Sequence, residues 1–187
     1  LINYLNHVYQ YGLIELLVSV LSQLNVLRQL SAMGKLGTAK ELIESVVDSG
    51  EKVLVFSSFV EPLETLQQHF KDTSVILTGK TPVEERQGIV EAFQNNPNIK
   101  IFFGGFKSGG LGITLTAATN FLGLDFPWNP ADLQQSIDRL HRLGQTATSV
   151  NIYQLVAIDT IDDDMKGILD YKQDIFDIRI SRTGIER

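Results

Sequence analysis

Three residues late in the chain have types and spacing suited to reading an anion. Gln135, Arg139 and Arg142 follow at intervals of four and three in the string QSIDRLHRLGQ, residues 135–145. On a helix that spacing puts all three on one face. Leu133, Ile137 and Leu140 form the other stripe and are expected to meet a core. Arginine keeps its charge and offers a planar fork of donors matched to phosphate oxygens. Two arginines aimed together from a packed helix can read a polyphosphate. A solvated face with partners one turn away is the plainer alternative, and spacing alone leaves both open.

A second cluster is the string GGFKSGGLG at 104–112, with five glycines in nine residues. It is not a phosphate loop, because the glycines follow Lys107 and Ser108 instead of leading into them. It is not a dinucleotide fingerprint either, since Leu115 stands where the third glycine belongs. Two readings remain: a loop whose backbone comes close to a ligand, or a hinge. No serine or cysteine nucleophile sits beside a histidine, and no acidic pair has a magnesium-binding setting. His141 reads as a packed helical histidine, Trp128 as packing for a tight turn, and Asp162 to Asp164 as acids favoured by a helix start. Three scattered histidines and no cysteine make no metal centre. The chain therefore carries an anion-reading helix and a glycine-rich loop without the means to bind and hydrolyse a nucleoside triphosphate alone. That combination suggests half of a site.

The elements that must position these residues alternate. Helices are expected at 39–49, 61–70, 82–94, 129–143 and 161–178, and strands at 52–58, 74–79, 100–105, 120–125 and 150–157. Short apolar strands between helices imply crossovers onto a mostly parallel sheet covered on both faces. In such a sheet functional groups collect at the carboxyl ends of the strands. Those ends here hold Ser57 and Ser58, Thr78 to Lys80, the glycine-rich loop, and the turn from Asp125 to Asn129. Residues 1–34 are apolar and helical, with Gly12 expected to split them into two pieces, and read as a connector or a cap. The fold is expected to be α/β from residue 35 onward, preceded by this helical segment.

With 187 residues and 43% hydrophobic content the chain can build one domain and an appendage. The net charge of −6 argues against a surface that is wholly a nucleic-acid magnet, but leaves room for a local basic groove. No apolar run is expected to span a bilayer, the longest candidate being 13–21 with Glu15 inside it. No secretory signal is visible, and the lack of cysteine suits a reducing, intracellular setting. Beginning on Leu1, the chain is expected to be part of a longer protein.

Several strings in order resemble one family. QSIDRLHRLGQ is similar to motif VI of the Swi/Snf-type DNA-dependent ATPases, within the helicase superfamily built on two RecA-like lobes. VLVFSSF at 53–59 resembles motif IV, and FKSGGLGITLTAA at 106–118 resembles motif V. LTGKTPVEERQGIVEAF at 77–93 resembles the segment that carries a glycine, an arginine and a phenylalanine, here Gly79, Arg86 and Phe93. The DFPWNP turn fits the family's Asp-x-x-Trp-Asn-Pro link. Thr114 departs from the usual amide residue of motif V, and Thr78 from an aspartate.

The resemblance implies a RecA-like three-layer domain at 35–187, the C-terminal lobe, with 1–34 joining it to a first lobe that carries the phosphate loop and the acidic magnesium motif. ATP with magnesium would sit between the lobes, held mainly by the first. Arg139 and Arg142 would be arginine fingers, Gln135 would orient the site, and Gly110, Gly112 and Asp138 would border the nucleotide. Trp128 and Asn129 would couple the lobes. Double-stranded DNA would cross both lobes. Ser57, Ser58, Gly79, Lys80, Arg86, Lys107 and Ser108, at or near strand ends with donors free, are the candidate DNA contacts. DNA-bound proteins such as a nucleosome or polymerase are further candidate partners, and no membrane is implied. The compartment would be the nucleus in a eukaryote, or the cytoplasm and nucleoid in a prokaryote. A lobe of a strand-separating helicase and a docking module that kept the fold are the alternatives.

Overall fold

The computed structural model describes the backbone of residues 2–109, 113–140, 142, 147 and 149–182, and the side chains of all these except 2–13, 108–109 and 173–182. Helix α1 runs Ile2–Gly34 and α2 runs Leu36–Asp48. Then follow β1 Val53–Ser57, α3 Val60–His69, β2 Ser74–Leu77, α4 Val83–Asn95 and β3 Ile101–Gly105. A 3-10 turn at Phe106–Gly109 leads on to β4 Asn120–Gly123, α5 Pro130–Ile137, β5 Asn151–Gln154 and α6 Ile161–Arg182.

The five strands form one parallel sheet in the order β2-β3-β1-β4-β5. The central strand β1 is apolar from Val53 to Phe56 and buried throughout, as a parallel strand covered on both faces must be. Its residues alternate between two cores. Val53 and Val55 join Ile101, Phe103 and Leu122 against α2 and α3, through Ala39, Ile43, Leu63 and Leu66. Leu54 and Phe56 join Phe102 and Phe121 on the opposite face against α4, through Val90 and Phe93, and against Leu140 beyond α5. The result is the expected three-layer α/β arrangement.

Local sequence explains the boundaries. Ala39, Ile43 and Val46 recur at helical spacing and form the buried stripe of α2. Gly50, at φ 85°, ends that helix in the left-handed conformation that glycine tolerates. Asn129 caps α5, its side-chain oxygen accepting from the Ala131 amide at 3.1 Å, and Pro130 takes the first helical position.

Three expectations need correction. Gly12 does not split the first segment, because α1 is one helix of 33 residues. A mid-helix glycine costs about 1 kcal/mol, which the leucine-rich residues around it offset. Helix α5 stops at Ile137 and not at 143. The Arg139 carbonyl turns away to accept from the Leu115 amide at 3.1 Å, and Leu140 swings into the core. Finally, Ile14–Gly34, 21 residues long, is by length and composition a helix apolar enough to cross a membrane. Its outer face leaves Leu16, Leu17, Leu21 and Leu30 at least half exposed. Its last turns are bound to the α/β domain: Ala32 is fully buried, and the neighbouring Lys35 ammonium pairs with buried Asp162 of α6.

Candidate functional site

The strand ends meet as expected, along one edge. A cleft of about 450 Å³ opens there, lined by Ser57, Ser58 and Phe59 at the end of β1, Thr78 and Gly79 after β2, Gly105 to Lys107 at the end of β3, and Pro127, Trp128 and Asp132 beyond β4. Asn25 and Arg28 of α1 close one side. Lys107 supplies an exposed cation at this edge.

Beneath the cleft lies a buried polar network. Asp125, 1% exposed, accepts from the Ser57 hydroxyl and from the Ser58 amide at 3.0 Å. Burial pushes its carboxyl up from the usual range, and the Ser57 and Ser58 donors and the Arg28 charge oppose that rise. Arg28, 2% exposed, lies 3.9 Å from the Asp125 carboxylate and donates to the Phe126 carbonyl. It also donates to Asn25 at 3.1 Å. Its guanidinium stacks 4.5 Å from the Trp128 ring centroid and 5.4 Å from that of Phe59.

The two arginines beyond α5 part company. Arg139 is 3% exposed, with its guanidinium 5.4 Å from the centroid of Phe56. Burial, and secondly the charge of Arg142, push its pKa down to about 10. Among the described residues no carboxylate pairs with it. Arg142 is exposed and reaches the Thr114 hydroxyl at 3.4 Å. Gln135 and Asp138 are exposed as well, Asp138 accepting from Gln134 at 2.7 Å. The single face expected of Gln135, Arg139 and Arg142 is not formed, because the helix ends before the arginines.

A family model, the helicase conserved C-terminal domain, matches residues 34–144. Helicase SWR1 of Kluyveromyces lactis is 38% identical over 132 residues, 69% of this chain and 8% of that protein. The human chromatin-remodeling ATPase INO80 is 37% identical over 133 residues, 70% of this chain and 8% of that protein. The chain thus spans less than a tenth of the length of these two relatives. Among solved structures, the C-terminal part of the Fun30 ATPase domain matches 72% of this chain and 44% of its own, at 37% identity and a TM-score of 0.66. The Sulfolobus solfataricus SWI2/SNF2 ATPase core in complex with double-stranded DNA matches 79% and 31%, at 30% identity and a TM-score of 0.60. This chain belongs to the helicase C-terminal domains of the Swi2/Snf2-type ATPases. Its five-stranded parallel sheet is the RecA-like fold of their C-terminal lobes.

Within this Swi2/Snf2 lobe the expected site residues fall into groups. Ser57, Ser58, Gly79, Lys107 and Trp128 meet at the cleft. Ser57 is a correction, since its donor is not free: the residue is fully buried and its hydroxyl bonds Asp125. Two more donors are engaged outside the cleft. Lys80 reaches Glu64 at 3.3 Å, and Arg86 holds the Thr81 carbonyl at 3.0 Å, steadying the turn before α4. Asn129 is used in capping, beside Trp128. Ser108 lies in the 3-10 turn, its side chain outside the described set, and Gly110, Gly112 and His141 lie outside the described residues. The Asp162 to Asp164 run acts as expected of helix-start acids: Asp162 accepts from the Ala157 amide at 3.0 Å and Asp163 from that of Asp159 at 2.7 Å.

Sequence reading did not anticipate Arg28. The available signal was its isolation, as the only lysine or arginine among the first 34 residues of an apolar helix. A lone cation there needs a buried partner, and Asp125 supplies it 97 positions away.

Proposed function

We propose that this chain is the second lobe of a DNA-stimulated ATPase that translocates on double-stranded DNA and remodels protein–DNA complexes, completing an ATP site shared with a first lobe. Its relatives carry names of remodelling ATPases and helicases, and one solved relative is bound to double-stranded DNA. The observation that carries the reading is the pairing of an exposed Arg142 with a desolvated Arg139 in a chain without a phosphate loop. Cations without a phosphate cradle suit one wall of a site whose other wall lies elsewhere.

ATP with magnesium would supply the scissile phosphoanhydride and the metal charge. This lobe's share is cationic, supplied by Arg139 and Arg142. Arg142 meets the γ-phosphate oxygens when the lobes close. A finger of this kind is worth about 10³–10⁵ in rate. Gln135, exposed on α5, orients the site. Arg139 supports from behind, its field added to that of Arg142 in a setting of low dielectric. Gly110, Gly112 and Asp138 border the nucleotide.

Duplex DNA runs over the strand-end cleft, with Lys107, Ser58, Gly79 and Ser108 toward the backbone and Lys80 and Arg86 at the flank. Trp128 and Asn129, at the turn between β4 and α5, link that cleft to the arginines. Nucleotide-driven closing and opening would step the lobes along the DNA. Such backbone contacts are independent of sequence and weaken with salt. The site of action follows the DNA: the nucleus in a eukaryote, the nucleoid in a prokaryote.

The test is turnover by parts. The purified 187-residue chain should show no DNA-stimulated ATP hydrolysis, and the two-lobe protein should show it. Stimulated hydrolysis by the chain alone would contradict the shared site.

A further inference from the structure

Arg28 is buried, charged and contributed by α1 rather than by the α/β domain proper. Its contacts are concentrated on the walls of the strand-end cleft. One guanidinium nitrogen donates to the Phe126 carbonyl and lies 3.4 Å from the Ser58 hydroxyl. The ring systems of Trp128 and Phe59 flank the group. The Asn25 amide oxygen, one turn earlier on α1, accepts from both Arg28 and the Trp128 indole, at 3.1 and 3.4 Å. Ser58, Phe59, Trp128 and Asn25 all line the cleft.

A staple that only held α1 to the domain would be cheaper as a hydrophobic side chain, because desolvating a guanidinium and a carboxylate cancels most of their attraction. What the ion pair adds is geometry. Arginine's planar fork fixes the turn after β4 and the end of β1 relative to one another, and ties both to α1. Much of the described part of α1 before its last turn stands clear of the domain: Leu16, Leu17, Leu21, Val26, Leu27 and Leu30 are all half exposed or more.

We propose that Arg28 is a positioning residue, which sets the spacing of the cleft walls through Trp128 and Asp125 and thereby the fit of the cleft to a duplex DNA backbone. This rests on the reading of the cleft as the DNA surface. Arg28, 2% exposed, acts through the neighbours that it holds on the cleft walls. Its replacement acts on how much DNA is needed and leaves the chemical step to Arg142.

The experiment uses the full-length protein with two variants. Arg28→Lys keeps the charge and loses the fork. Arg28→Met combined with Asp125→Asn removes both charges, so neither is left buried alone. For each, the DNA concentration giving half-maximal ATPase stimulation should rise about tenfold, equivalent to about 1.4 kcal/mol, while turnover at saturating DNA stays within about threefold of the parent. Trp128 is the sole tryptophan of the 187-residue chain, so its fluorescence reports the stacking directly. Acrylamide quenching in that chain should increase in both variants. An unchanged DNA requirement, or a loss of saturating turnover at an unchanged DNA requirement, overturns the proposal, as does unchanged quenching. An Arg142→Ala control separates the two readings. If it retains full turnover, the finger reading fails, while the Arg28 proposal is still decided by the DNA requirement and the quenching.

Discussion

The Arg139 guanidinium lies 5.4 Å from the centroid of the Phe56 ring and is buried there without a carboxylate partner among the described residues. Phe56 sits in turn among Phe102, Phe106 and Phe121. A cation held over an aromatic floor keeps part of its attraction without water, but the desolvation is not balanced. The lobe carries a group that opposes its own stability.

Arg139→Met should therefore stabilise the isolated chain, by about 1–3 kcal/mol in urea denaturation at pH 7. The pH dependence has a definite sign. Burial first, and Arg142 second, push the Arg139 pKa down to about 10 from its ordinary value. Above pH 10 the folded chain releases a proton that the unfolded chain keeps, so this group's penalty is present in full below about pH 10 and shrinks as pH rises further. The gap between variant and parent should narrow in denaturation at pH 11 relative to pH 9. A variant less stable than the parent at pH 7 would show that Arg139 is balanced by a partner outside the described residues.

Gly104 makes the room that Phe56 occupies. A methyl group placed on it would come within 2.9 Å of one ring carbon of Phe56 and 3.2 Å of one of Phe102. Both rings are fully buried, so neither can swing out to solvent. Gly104→Ala should cost about 1–3 kcal/mol by overpacking, measured as a lower urea midpoint. The floor under Arg139 should shift with it, visible as a displaced Phe56 ring in a crystal structure of the variant.

Lys35 stands between α1 and α2, and its ammonium pairs with Asp162 at the start of α6 and bonds the Leu155 carbonyl at 3.3 Å. Both side chains are buried. Lys35→Met leaves the Asp162 carboxylate without its cation and should cost about 3–5 kcal/mol. Adding Asp162→Asn should return most of that loss, because the amide oxygen can still accept from Ala157. Hydrogen exchange should report the single variant as faster opening at the start of α6. Equal losses in the single and double variants would mean the pair contributes nothing through its charges.

How much of this was legible in the sequence depends on the range of the interaction that decides it. Strand β1 could be read from the apolar run at 53–56, and the α5 start from Asn129 and Pro130, because neighbours within a few positions set both. The gathering of strand ends at one edge follows from parallel topology and needs no side-chain detail. The end of α5 was not legible. Helical spacing continues through Arg142, but Leu115, distant in sequence, takes the Arg139 carbonyl and stops the helix. Beyond that bond the two arginines leave the helical spacing, Arg139 buried and Arg142 exposed. Ser57 looked like a free donor because its partner, Asp125, lies 68 positions on. Arg28 was missed for the same reason, and it ties together three segments that no local pattern links.

The central claim is that this lobe brings a charged finger to a site it does not itself contain, and the most direct measurement is DNA-stimulated ATP turnover by the two-lobe protein carrying Arg142→Ala, with duplex DNA binding measured on the same preparation. The expected result is a fall in kcat of about 10³-fold or more with DNA affinity within about threefold of the parent. Turnover at the parent's rate, with DNA binding intact, would contradict it.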